Sequence, residues 1–133
     1  METVNHECYV LLEVAKQLKK AGFDWECKMI HFCYIEDDYM WNLEDNDKKA
    51  RSILKLDYCL LAPTLDVAQR WLREIKNIHI EISPSSDMSA YIYNILLPGD
   101  KFWLGSPISY ITYEEAQEAG IKKALEMILK KGE

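Results

Sequence analysis

Residues 62–82 read APTLDVAQRWLREIKNIHIEI, and the hydrophobic period changes inside that stretch. After Ala62-Pro63, Thr64 stands where a helix N-cap belongs. Ala68, Trp71, Leu72 and Ile75 then fall on one stripe at helical spacing. Asp66 and Arg70, and Arg70 and Glu74, are four apart on the wet side, where opposite charges support a helix slightly. Past Asn77 the period drops to two. Ile78, Ile80 and Ile82 alternate with His79 and Glu81, the signature of a strand with one buried face. A helix running straight into a half-buried strand places the chain in the α+β class.

Upstream, CYVLLEVAKQLKKA (8–21) repeats the helical half of this pattern. Leu11, Val14, Ala15 and Leu18 recur at i, i+3, i+4 and i+7, Lys19 and Lys20 suit the negative helix end, and Gly22 fits a C-cap. In FDWECKMIHFCYI (23–35), Phe23, Trp25, Cys27 and Met29 alternate with polar residues, so a strand is expected. The parity slips near Ile30, where a bulge or reversal would shift the apolar phase to Ile30, Phe32 and Tyr34. EDDYMWNLEDNDKKARS (36–52) is charged and turn-rich and reads as a loop or protruding excursion. LKLDYCLL (54–61) alternates again as a third strand.

Downstream, SPSSD is a turn, SAYIYNILL (89–97) a longer strand and Pro98-Gly99-Asp100 a second turn. KFWLGSPISYI (101–111) holds one more strand, broken at Gly105-Ser106-Pro107. The closing helix starts at a capping box of Thr112 and Glu115, with Ile111 placed to staple onto Ala116. Ala116, Ala119, Gly120 and Ala124 give its first half a small-residue face that allows close packing. A helix–strand–strand echo links 8–35 with 64–97, carrying Glu26 and Glu81 at the strand centres; amphipathic helices resemble one another enough for chance to account for it. The expected architecture is one α+β domain over 1–133, two-layered, an antiparallel or mixed sheet with three helices mostly on one face.

Composition restricts function more than it reveals it. The 133 residues are 49% hydrophobic and 29% charged, enough apolar surface for a self-sufficient core. A net charge of −6 is the wrong sign for phosphate contact, so no nucleic-acid partner is expected. METVNHECYV lacks a basic region followed by an apolar run, and no stretch approaches the ~20 apolar residues of a membrane helix. A cytoplasmic protein is expected, with Cys8, Cys27, Cys33 and Cys59 as reduced, mostly buried small hydrophobes.

Few residues suggest chemistry. His6, Glu7 and Cys8 with Cys27, His31 and Cys33 are donors zinc favours, but no Cys-x-x-Cys pair organises them, and core filling is the stronger reading. Glu36, Asp37 and Asp38 with Glu44, Asp45 and Asp47 invite a calcium loop. The glycine such a loop needs is missing, since none occurs between Gly22 and Gly99. There is no nucleophile elbow, phosphate loop or dinucleotide turn. Neither a metal, a cofactor nor a catalytic residue is therefore assigned. Tyr34, Tyr39, Met40 and Trp41 flank the acidic excursion and Trp103 sits beside a turn, and such aromatics are favoured at interfaces. Tyr39 and Trp41, with Glu36, Asp37 and Asp38, are the candidate partner-binding residues. A homodimer through an unpaired sheet edge is a further reading.

Three segments, LEVAKQLKKAGFDWEC (12–27), APTLDVAQRWLREIKNIHIEI (62–82) and TYEEAQEAGIKKALEMIL (112–129), resemble short uncharacterised proteins of gut anaerobic bacteria and their phages and mobile elements. The similarity covers nearly the whole chain, with 36–53 the variable part. It implies a phage or prophage cargo protein in the cytoplasm of a bacterial host, and it brings no catalytic residues. Its signature positions Trp71, Leu72, Ala119 and Gly120 read as packing residues. The expected function is a non-enzymatic interaction with an unidentified protein. The alternative is a small enzyme or metal-binding protein whose His, Cys and carboxylate groups converge only in the fold.

Overall fold

The computed structural model describes residues 8–33, 41–45 and 59–131. In chain order these form α1 (Leu12–Lys20), β1 (Met29–Cys33), β2 (Trp41–Asp45), β3 (Cys59–Leu61), α2 (Leu65–Ile75), β4 (His79–Pro84), β5 (Tyr91–Leu96), β6 (Leu104–Gly105) and α3 (Tyr113–Lys131). The fold is α+β. Its strands divide into two antiparallel three-stranded sheets, ordered β2-β1-β3 and β4-β5-β6. The third strand joins the first in one sheet and the second in the other.

Local chemistry sets the helix ends. At the close of α1, Gly22 takes φ 97° and donates to the Lys19 carbonyl, while Phe23 donates to that of Leu18. This pair of bonds is the Schellman arrangement, which needs a left-handed residue at the turn. Thr64 caps α2 by accepting the Val67 N–H at 3.2 Å, and Thr112 accepts the Glu115 N–H at 3.1 Å to start α3. Two stripe positions depart from expectation. Leu11 and Ile75 are 65% and 55% exposed, because each lies at a helix terminus that no element among the described residues covers. Ile111, expected to staple onto Ala116, is exposed as well.

The strand readings are mixed. Phe23 and Cys27 are buried while Asp24, Glu26 and Lys28 are exposed, yet among the described residues no ladder forms over 23–28. The parity slip near Ile30 coincides with the true start of β1. Trp41–Asp45, expected within a loop, is instead a strand, pairing with β1 from Met29↔Asp45 to Cys33↔Trp41. Its charges are compatible with pairing because β2 is an edge strand, and charged edges discourage further strand addition.

One contiguous core runs from Val10 to Leu125, with Trp71, Leu18, Ile78, Ile95, Ile121 and Leu125 among its fully buried side chains. Helix α3 is its centre, packing on β4 and β5 and touching both α1 and α2. That approach depends on Gly120. A Cβ there would lie 3.1 Å from Ile80 Cγ2 and from Tyr93 Cβ, so the expected small-residue face is the one turned to the sheet. Ala116 and Ala124 are buried along it. Among the described residues, no helix is long and apolar enough to cross a membrane.

Candidate functional site

Two surface features stand out, one in the last third of the chain and one where its first described residues meet two helix starts. The first is the connection from β5 to α3. Gly99 at φ 86° and the Asp100 N–H bond to the Leu97 carbonyl form the turn that begins it. Beyond β6 the chain stays fastened to β5: Ser106 N–H donates to the Tyr93 carbonyl, and Tyr91 and Tyr110 exchange a pair of 2.7 Å bonds. Tyr93 and Tyr110 stack with ring centroids 6.2 Å apart, and Tyr91 meets Tyr113 edge-on at 5.9 Å. Despite this fixed backbone, Phe102, Ile108 and Ile111 are 84%, 60% and 82% exposed, and Trp103 and Leu104 are also exposed. Burying one such side chain is worth about 1.5–3 kcal/mol. The strip therefore leaves a substantial apolar stabilisation unused by the fold, on a surface already ordered.

The second feature is a groove where the segment Cys8–Leu11, the start of α2 and the first turns of α3 meet. Leu65 donates its N–H to the Cys8 carbonyl at 2.8 Å, and Val10 donates to that of Pro63 at 2.9 Å, fixing the first segment to the second. Buried Gln117 joins α3 to α2, its Nε2 donating to Asp66 Oδ1 at 2.7 Å and to Gln69 Oε1 at 2.8 Å. Gln69 in turn donates to the Ile80 carbonyl at 2.8 Å. This chain satisfies the polar groups it buries and holds the helix starts together. One end of the groove, about 390 Å³, lies between Thr64, Asp66, Tyr113 and Gln117. The other, about 410 Å³, lies between Leu11, Tyr110, Glu118, Ala119 and Lys122. Cys8, Leu65 and Glu114 line both.

The carboxylates of the groove differ in environment. Glu114 and Glu115 sit in the first turn of α3, where the helix dipole favours negative charge. Glu115 is further engaged by the Thr112 hydroxyl at 3.1 Å. Glu118 lies a turn deeper. Burial pushes its carboxyl up from the ordinary glutamate value, against the Leu11 N–H and Lys122, which pull it down. The Leu11 bond is long, at 3.4 Å. Lys122 is the one cation among the described residues lining the groove, and it is held by Glu13 at 3.1 Å.

Apart from Cys8 in the groove and Trp103 in the strip, the residues singled out by sequence fall elsewhere. Glu36, Asp37, Asp38 and Tyr39 lie outside the described residues, as does the side chain of Trp41, whose backbone opposes Cys33 in the ladder. His31 is buried, and its Nε2 is 2.8 Å from the Val10 carbonyl. A carbonyl only accepts, so that nitrogen carries the proton and is committed to fastening β1 to the N-terminal segment. Cys27 and Cys59 are buried thiols outside any disulfide, and burial pushes the Cys27 thiol up to about 12. Glu26 and Glu81 are exposed. Of the interface candidates, Trp103 belongs to the strip. The sequence reading does not mark Phe102, Ile108 or Ile111 as interface residues, although an apolar cluster without period-two alternation among Gly, Ser and Pro is a usable signal. No family profile matches the chain, and neither a curated protein nor a solved structure does.

Proposed function

We propose that this chain acts by binding another protein, without catalysis, as a phage- or prophage-type protein in a bacterial host. The observation that carries this reading is the ordered strip containing Phe102, Ile108 and Ile111, apolar, exposed and pinned to β5 by backbone bonds. A surface of this kind meets a partner without first losing the entropy of a floppy loop. Aromatic and branched side chains in such a setting are what interface cores are made of. The test is a photo-crosslinking amino acid at position 102, introduced in the bacterium that carries the gene. The expected result is one discrete adduct, lost when Ile108 and Ile111 are changed to Ser. An adduct of the chain with itself identifies the partner as a second copy. Diffuse labelling across many proteins, unchanged by the serine substitutions, overturns the reading.

A further inference from the structure

Resting on that reading, we infer that the groove between Cys8–Leu11, the start of α2 and the start of α3 receives a short polypeptide segment bearing arginine or lysine beside an apolar anchor.

The floor supplies the first half of the specification. Leu11, Leu65, Tyr110 and Ala119 present apolar surface in a cleft of about 410 Å³, large enough for a buried anchor side chain. Leu11 is exposed at the N-cap of α1 while all three buried residues of that helix face the core. The rim supplies the second half. Glu114, Glu115 and Glu118 stand on one helix at i, i+1 and i+4, and Asp66 closes the far end. Lys122, the one lining cation among the described residues, is already paired with Glu13. Helix-end preference and the capping box account for Glu114 and Glu115, but Glu118 lies beyond the first turn. It is a partly desolvated carboxylate with a single long backbone donor. A guanidinium or ammonium placed there meets an acceptor with unused capacity, in surroundings that screen the pair less than water does.

Charge and shape together choose among occupants. A second copy of the chain carries a net charge of −6 and, where a two-fold axis passes through the groove, sets the same acidic rim against itself. A polyamine matches the rim but leaves the apolar floor wet. Nucleic acid is repelled. A basic peptide with an apolar side chain satisfies both surfaces, and Tyr110 and Tyr113 lead from the groove into the exposed strip around Ile111, so a single partner can cover both.

The probe is a displayed library of random peptides about a dozen residues long, selected on the immobilised full chain. The best sequence is then synthesised with a fluorophore and titrated by anisotropy. The expected enrichment is for net-positive peptides with a large apolar residue, and Glu114→Gln with Glu118→Gln weakens the peptide by about tenfold, as loss of close charge pairs does. Lys122→Gln tightens the same peptide, by roughly threefold. That opposite sign keeps the test decisive if the glutamine variant folds poorly. Neutral or acidic winners, basic winners indifferent to all three substitutions, or no enrichment at all overturn the assignment. So does spermidine competing as well as the peptide. If winners ignore the groove variants yet are lost on Phe102→Ser and Ile111→Ser, the groove assignment fails while the interaction reading stands. A discrete adduct at position 102 with no peptide selected likewise removes the groove and leaves the strip.

Discussion

Residues 102–111 and the inner face of α3 are neighbours in sequence and similar in chemistry, yet the fold treats them oppositely. Ala116, Ile121, Ala124 and Leu125 are fully buried, and Gly120 brings the helix onto the sheet so closely that one added carbon meets Ile80 and Tyr93. Phe102, Ile108 and Ile111, on a strip tied to β5 through 104–106 and 110, are exposed. Apolar character alone therefore does not distinguish core from exposed surface here. The distinction lies in what the opposite surface is: β4 and β5 in one case, solvent in the other. Substitutions on the inner face should cost stability, and those on the strip should cost binding.

The sharpest separation is expected at Leu125→Ala. It removes a side chain with no exposed surface and leaves a cavity, for a loss of about 3 kcal/mol in chemical denaturation. Gly120→Val comes next. The helix gains little propensity from the change, whereas the Tyr93 Cβ it meets is rooted in the β5 backbone and has little room to yield. A loss of about 2 kcal/mol is expected. A Gly120→Val protein as stable as the original would mean that α3 slides easily on its sheet, and the proposed rigidity of the strip beside it would lose its support.

Thr112 marks the border between the two regions, and Thr112→Ala should cost about 1 kcal/mol by removing the cap of α3, measured by the same denaturation. A smaller effect is expected at Glu118. Its folded carboxyl titrates above the ordinary value of 4.5, so the folded state holds a proton more tightly than the unfolded chain does. The stability this gives is present below that value and is lost as pH rises through the folded titration. Glu118→Gln removes the loss, so the variant should gain on the wild type as pH climbs from acid to neutral in urea titrations. A constant difference across pH would place the carboxylate in water rather than against the groove floor.

How much of this was legible in the sequence follows from how local each feature is. Thr64, Gly22 and Thr112 act on backbone groups a few residues away, and all three were readable as caps. The buried phase of 23–27 was readable too, but its lack of a partner among the described strands was not, because pairing depends on residues elsewhere. Trp41–Asp45 was obscured by its charges, which mark an edge strand as readily as a loop. Leu11, Ile75 and Ile111 sit at the right spacing for burial, and spacing cannot say whether another element arrives to cover them. The groove was beyond reach for the same reason. Its walls come from residues 8–11, 64–66 and 110–122, and the bond from Leu11 to Glu118 spans 107 positions.

The smallest stability effect is expected where the functional effect is largest. Phe102→Ser, Ile108→Ser and Ile111→Ser each remove apolar surface that is exposed in the folded chain, so the folded state forfeits little packing by losing it. Each should change stability by less than about 0.5 kcal/mol, and serine at these positions disturbs none of the backbone bonds tying 106 and 110 to β5. Differential scanning calorimetry of the triple variant should show a transition close to that of the wild type. A loss of several kcal/mol instead would mean that the strip packs against the body of the protein in solution. Phe102 and Ile111 would then belong with Leu125, as core residues at the rim of the fold, and the surface offered to a partner would have to lie elsewhere. An unchanged transition, together with loss of the position-102 adduct on Ile108→Ser and Ile111→Ser, separates the two regions cleanly, since the same class of side chain then serves folding on one side of Thr112 and recognition on the other.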